Sequence, residues 1–161
     1  MTKPVWHEPL ISRTQRWNKH GLSGATVWLT GLSGSGKSTI ANELARELLN
    51  TSRLAYILDA DNLRHGLSAG LGYSDDDRAE NIRRVAEVAC LFADAGIVAI
   101  VPIISPFIAS REHARKIHQD NELRFIEVHV ATPIEECERR DTKGLYSKVR
   151  SGEMTGLSGV D

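Results

Sequence analysis

One stretch near the start of the chain leaves little choice of architecture. Residues 25–30 (ATVWLT) are apolar and β-branched, and residues 38–49 carry Ile40, Ala41, Leu44, Ala45 and Leu48 at helical spacing. Between them lies Gly31-Leu32-Ser33-Gly34-Ser35-Gly36-Lys37-Ser38, followed by Thr39, which fits G-x-x-x-x-G-K-[ST]. Glycines let the backbone curl so that successive N–H groups point at one phosphate, with the positive end of a helix behind them. Lys37 can reach the β and γ oxygens, and the Ser38 hydroxyl can ligate Mg²⁺. A Gly/Ser-rich turn matching by chance would have no reason to fall between a buried strand and an amphipathic helix. The stretch is expected to bind a nucleoside triphosphate. The candidate ligands are Gly31, Ser33, Gly34, Ser35, Gly36, Lys37, Ser38 and Thr39.

The rest of the chain repeats the alternation of strand and helix. Residues 54–58 (LAYIL), 97–104 (IVAIVPII) and 124–130 (RFIEVHV) read as further strands. Helices are expected from near Asp76 to Gly96, over residues 109–119, and over 133–140 with Pro133 near the first turn. Ser74 followed by Asp75, Asp76 and Asp77 supplies capping oxygen and negative charge for the first of these. Such alternation implies parallel strands with ligands at their C-terminal ends. The fold expected is α/β, a three-layer α/β/α P-loop NTPase architecture with a mostly parallel central sheet and a helical lid. Residues 1–24, with Pro4, Pro9, Gly21 and Gly24, read as an irregular arm bearing a short polar helix near residues 12–20; the phosphate-binding domain follows over 25–161.

Composition narrows the function. Twenty Lys and Arg against 21 Asp and Glu give a net charge of −1, which argues against a grip on long nucleic acid. No apolar run is long enough to span a membrane, and the N-terminus lacks the apolar core of a signal peptide. Cys90 and Cys137 lack metal-ligand spacing and read as buried free thiols of a cytoplasmic protein.

The phosphate loop alone does not select a reaction. No N-K-x-D follows a later strand, as a guanine reader would need, and the strand at 97–104 ends without an acid, as a motor would need. Asp59-Ala60-Asp61 at the end of the second strand is the informative feature. One carboxylate can hold Mg²⁺-bound water while the other accepts a proton from an attacking hydroxyl. The plainer reading is that Asp61 caps a short helix over residues 62–67. Arg64 follows, and Arg78 and Asn81 stand i, i+3 on one helix face. From Arg139 to Arg150 there are five basic residues (Arg139, Arg140, Lys143, Lys148, Arg150) against Asp141, interrupted by Gly144. That composition suits a mobile lid over phosphates, about residues 139–156. The sum is an ATP-dependent kinase whose acceptor is anionic and carries a hydroxyl.

At these residues the sequence resembles the adenylylsulfate kinase family. The resemblance is carried by Val5-Trp6-His7-Glu8, by the phosphate loop, and by Asp59-Ala60-Asp61-Asn62-Leu63-Arg64-His65-Gly66-Leu67. It continues in Asp77-Arg78-Ala79-Glu80-Asn81-Ile82-Arg83-Arg84, Ile104-Ser105-Pro106-Phe107 and Glu138-Arg139-Arg140-Asp141-Thr142-Lys143-Gly144-Leu145-Tyr146. It implies transfer of the ATP γ-phosphoryl to the ribose 3′-hydroxyl of adenosine 5′-phosphosulfate (APS), giving 3′-phosphoadenylylsulfate (PAPS). By the resemblance Arg64, Arg78 and Asn81 hold the phosphosulfate and ribose, with Ile104, Ser105 and Lys143 completing the pocket. Asp61 is the carboxylate near the acceptor hydroxyl, Asp59 supports Mg²⁺ with Ser38, and Arg139 and Arg140 lie near ATP. The family assigns the serine matching Ser105 a phosphoenzyme role; in-line transfer needs no covalent intermediate, and a binding role is expected here.

The sequence departs from the family at Ala60 for Gly, Thr142 for Pro, and Leu157 where an aromatic partner of Tyr73 would stack on the adenine. Losing one stacking face costs about 1 kcal/mol. The resemblance implies a Pro-rich tail past residues 158–161, so either this protein has dispensed with that tail or the sequence is a fragment of a longer one. A homodimer using the arm is the expected assembly. The alternatives are another small-molecule kinase resembling shikimate kinase, and a nucleotide-binding module without turnover.

Overall fold

The structure, a computed structural model, describes residues 4–160. Residues 1–3 of the expected arm and residue 161 lie outside that range. Helix α1 (Arg13–His20) opens on a capping box in which Ser12 and Gln15 exchange side-chain and backbone hydrogen bonds, and Gly21 closes it. Strand β1 (Ala25–Thr30) leads through the glycine loop into α2 (Lys37–Asn50). Strand β2 (Ala55–Ile57) ends in the short helix α3 (Ala60–Leu63), and α4 (Asp75–Asp94) is capped by Ser74 as expected. Then come β3 (Val98–Pro102), α5 (Ile108–Asp120) and β4 (Arg124–His129). Two short helices follow, α6 (Ile134–Arg140) and α7 (Leu145–Arg150), the second within the segment expected to form the lid.

The four strands pair in the order β2-β3-β1-β4, and every pair is parallel. Alternation along each strand divides the sheet between two helical layers. Trp28, Ala99, Val101 and Ile103 pack with Ile82, Val85, Ala86 and Ala89 of α4 and Ala114 of α5. Leu29, Val98 and Ile100 pack on the opposite face with Ala41, Leu44, Ala45 and Leu48 of α2. Both faces are therefore covered, which is why β1 and β3 read as unbroken apolar runs. The expected three layers are present, with the two short helices after β4.

The helix after β2 differs from expectation. It spans Ala60–Leu63 rather than 62–67, and its cap is Asp59, not Asp61. Asp59 is the last extended residue, and its Oδ1 accepts from the N–H groups of Asp61 (3.0 Å) and Asn62 (3.2 Å). An Asp in the extended conformation before a turn is the better cap, because its carboxylate then faces the free N–H groups.

Beneath the sheet one buried polar pair has no sequence signal. His118 of α5 is wholly buried; its Nδ1 lies 2.8 Å from the Ala114 carbonyl and its Nε2 lies 2.7 Å from Thr26 Oγ1 on β1. The carbonyl can only accept, so Nδ1 carries the proton and Nε2 accepts from the threonine. The ring is neutral, and burial holds its pKa below the ordinary histidine value.

Candidate active site

The C-terminal ends of β1, β2 and β3 open on one cavity of about 780 Å³. Strand β1 sits where the sheet order reverses, with β3 on one side and β4 on the other, the place where α/β sheets bind ligands. Strand β1 delivers the phosphate loop, β2 delivers Asp59 and Asp61, and β3 delivers Pro102, Ile103 and Ile104 to this cavity.

The loop is set by local conformation. Gly34 and Gly36 adopt φ of 73° and 102°, the left-handed region that side chains resist, and a Cβ at Gly34 would approach the Cys137 carbonyl to 3.1 Å. Lys37 begins α2 and folds back so that Nζ donates to the carbonyls of Gly31 (2.9 Å) and Leu32 (2.7 Å). Burial, aided by the nearby charge of Lys143, pulls its pKa down to about 8. The lid braces the loop from outside. Tyr146 Oη donates to the Ser33 carbonyl at 2.9 Å, and Arg140 Nη1 donates to that of Gly34 at 3.3 Å. Ser33, Gly34, Gly36, Lys37, Ser38 and Thr39 line the cavity; Gly31 and Ser35 stand behind it as framework.

Both expected carboxylates line the cavity. Asp59 spends one oxygen on capping α3, while Asp61 is ion-paired with Lys143 of the lid. Among the described residues no three His, Cys, Asp or Glu side chains form a metal cluster. The Ser38 hydroxyl and Asp59 carboxylate are hard oxygen donors on the same cavity, the chemistry that magnesium takes when phosphates and water complete its shell. The donor set fits.

The cations opposite are held by the chain itself. Arg64 donates to the carbonyls of Leu71 (3.2 Å) and Gly72 (2.9 Å) and lies 4.4 Å over the Tyr73 ring. Arg78 donates to the Tyr73 carbonyl (2.8 Å), Ser158 Oγ (3.0 Å) and the Gly156 carbonyl, tying α4 to the segment after the lid. Asn81 is 4% exposed, lines the cavity, and its Oδ1 has no hydrogen-bond partner among the described residues. A buried amide oxygen in that state is costly unless a ligand completes it.

Three expected residues stand differently from the rest. Ser105 is 1% exposed and does not line the cavity, although its neighbours Ile104 and Pro106 do. Its hydroxyl donates to Thr30 Oγ1 (2.8 Å) and accepts from Trp28 Nε1 (3.1 Å), which consumes it structurally. Arg139 points away, its guanidinium bound to Glu136 at 2.7 Å, whereas Arg140 lines the cavity. Leu157 lines the cavity but is mostly buried, packed with Cys137 and Tyr146 beneath the lid. Sequence reasoning missed Met154 and His65 on the cavity wall, and also Asp141. Asp141 accepts from the N–H groups of Tyr146 (3.1 Å) and Ser147 (3.0 Å) and so starts α7. Its place before a glycine and a helical run was the available signal.

A glycine loop between strand and helix, opening on a cavity shared with two carboxylates and several cations, defines a P-loop phosphotransferase. The family profile described as adenylylsulphate kinase matches residues 23–161. The chain is 53% identical to the probable adenylyl-sulfate kinase of Halalkalibacterium halodurans over 97% of this chain and 76% of that one. The adenylyl-sulfate kinase of Clostridium acetobutylicum is 51% identical over 99% of this chain and 78% of its own. Among solved structures, the Mycobacterium tuberculosis APS kinase CysC in complex with AMPPNP and APS is similar with a TM-score of 0.85 and 55% identity, over 87% of this chain and 81% of that one. The chain belongs to the adenylylsulphate kinase family.

Proposed function

We propose that the chain transfers the γ-phosphoryl of ATP to the 3′-hydroxyl of APS, forming PAPS and ADP. The observation that carries this reading is a single cavity lined by Ser33, Gly34, Gly36 and Lys37 of the phosphate loop together with Asp61, Arg64, Arg78, Asn81 and Lys143. The loop N–H groups and Lys37 hold the triphosphate, and Ser38, Thr39 and Arg140 add contacts to it. Magnesium, when bound with the nucleotide, supplies positive charge against the charge that develops on the transferring oxygens. Ser38 and Asp59 would hold it. Asp61 accepts the proton of the attacking hydroxyl once Lys143 turns to the phosphates. Arg64, Arg78 and Asn81 receive the phosphosulfate and ribose, against the wall of Ile104 and Tyr73. Ser105 takes no covalent part, because its hydroxyl serves Trp28 and Thr30.

The reading extends to residues 25–161 as the catalytic domain, with a lid of about 139–156 and residues 1–24 as an arm. Exposed Val5, Trp6, Leu10 and Ile11 on that arm support a homodimer, which light scattering tests; a mass of 17.8 kDa rather than twice that overturns it. No helix among the described residues is long and apolar enough to cross a membrane. Both cysteines are buried and free, which supports a reducing, cytoplasmic setting.

A coupled assay with ATP and APS decides the reaction. PAPS formation with no turnover of shikimate is expected; absence of PAPS refutes the proposal. Asp61→Asn should bind ATP normally yet lose about 10²- to 10⁴-fold in kcat. Full activity in that variant would remove Asp61 from the role of base.

A further inference from the structure

We infer that Arg111, which stands outside the cavity, is a positioning residue for the acceptor: it fixes the turn at residues 104–106 in the shape against which the acceptor docks. The inference rests on the reading above that this wall receives APS.

Arg111 lies on α5 and reaches under the turn. Its Nη1 donates to the Ser105 carbonyl at 2.7 Å and to the Pro106 carbonyl at 3.1 Å. Its Nε donates to Glu127 Oε1 on β4 at 2.8 Å. The other oxygen of Glu127 accepts from Arg115 Nη2 at 2.7 Å, and the Arg115 guanidinium lies 5.1 Å over the Phe125 ring. The guanidinium of Arg111 is thus aimed by a carboxylate that is itself held from both sides.

The turn needs such a support. Pro106 deprives it of an N–H donor, which weakens its closure by backbone pairing. Its last ladder bond is Ile103 N–H to the Leu29 carbonyl at 3.0 Å. Beyond that point Ser105 is gripped at its hydroxyl by Trp28 and Thr30 and at its carbonyl by Arg111. With Ser105 fixed on the inner side, Ile104 and Pro106 are presented to the cavity. A planar fork with several donors can bridge two carbonyls and a carboxylate at once, whereas an ammonium is a point charge on a flexible stem.

The test compares Arg111→Gln, Arg111→Lys and Glu127→Gln with the wild type. For Arg111→Gln the expected result is a KM for APS raised by about 10- to 100-fold, with a far smaller change in kcat. The Kd for ATP, measured by calorimetry without APS, should change far less than the KM for APS, since the turn reaches the phosphate loop only through the hydrogen bonding of Ser105 with Thr30. Arg111→Lys keeps charge and bulk and is the variant to use if Arg111→Gln does not fold. It should still raise the APS KM by about tenfold, because one ammonium cannot replace the fork. Glu127→Gln should act in the same direction, more weakly. Hydrogen exchange across residues 103–107 should quicken in Arg111→Gln with no substrate present. An unchanged APS KM in a folded Arg111 variant overturns the inference, as does equal weakening of ATP and APS. If the wild type itself makes no PAPS, the functional reading falls separately, and unchanged exchange at 103–107 then overturns the positioning role by itself.

Discussion

Lys37 carries the sharpest pH consequence of any single residue. Burial is the main reason that its pKa falls from 10.5 to about 8, with Lys143 adding repulsion and Asp61 and Asp59 opposing it. Nucleotide phosphates favour the charged form, so above pH 8 binding must be accompanied by proton uptake. ATP affinity should therefore hold steady below that pH and weaken by up to about tenfold per unit above it, as calorimetry between pH 7 and 9.5 would read. A flat profile would show that the lysine stays charged in the empty site. Residue by residue, the phosphate loop was legible because each of its positions answers a chemical need within one short stretch. Ser105 was not, since its partners Trp28 and Thr30 lie 77 and 75 positions away in sequence and meet it only through the pairing of β1 with β3.

At the level of elements, strands and long helices followed from period and caps. Strand β1 spans the expected residues, and α4 starts behind Ser74 because three acids and a hydroxyl favour its first turn. The short helix α3 was misplaced because two aspartates two residues apart compete for one cap, and only the extended backbone at Asp59 decides between them. The lid turns on a comparable device. Asp141, at φ 28°, accepts from two backbone N–H groups of α7 and from Ser147 Oγ at 2.7 Å. Asp141→Ala should loosen α7, seen as severalfold faster amide exchange over Leu145–Arg150. Asp141→Asn, which retains an acceptor and tolerates left-handed backbone, should recover most of the protection. Unchanged exchange in the alanine variant would dismiss the cap. The Ser147 hydroxyl, with the backbone groups, holds the Asp141 carboxyl below its usual 3.8. Its contribution is present above that value and is lost as pH falls through the lower folded-state one.

For the whole molecule, acid stability should be governed in part by His118. Burial lowers its pKa, so the unfolded chain binds more protons below pH 6.5 and folding weakens there. The loss can reach about 1.4 kcal/mol per pH unit below 6.5, while above that value the contribution is complete. Thermal midpoints at pH 8, 6 and 5 should show a steeper acid decline in the wild type than in His118→Gln; equal slopes would exclude it. The same core that hides this ring fixes the distance between the loop and the acceptor wall, because both leave neighbouring parallel strands. The cations that face the cavity also have a collective property. Lys37, Arg64, Arg78 and Lys143 are each already satisfied by oxygens of the chain itself. Binding is then an exchange of oxygens, several at a time, and not the filling of a bare positive hole. A lone sulfate or phosphate offers too few oxygens to displace them together, so inorganic anions should compete poorly, and selectivity follows from the number of replacements a ligand makes at once.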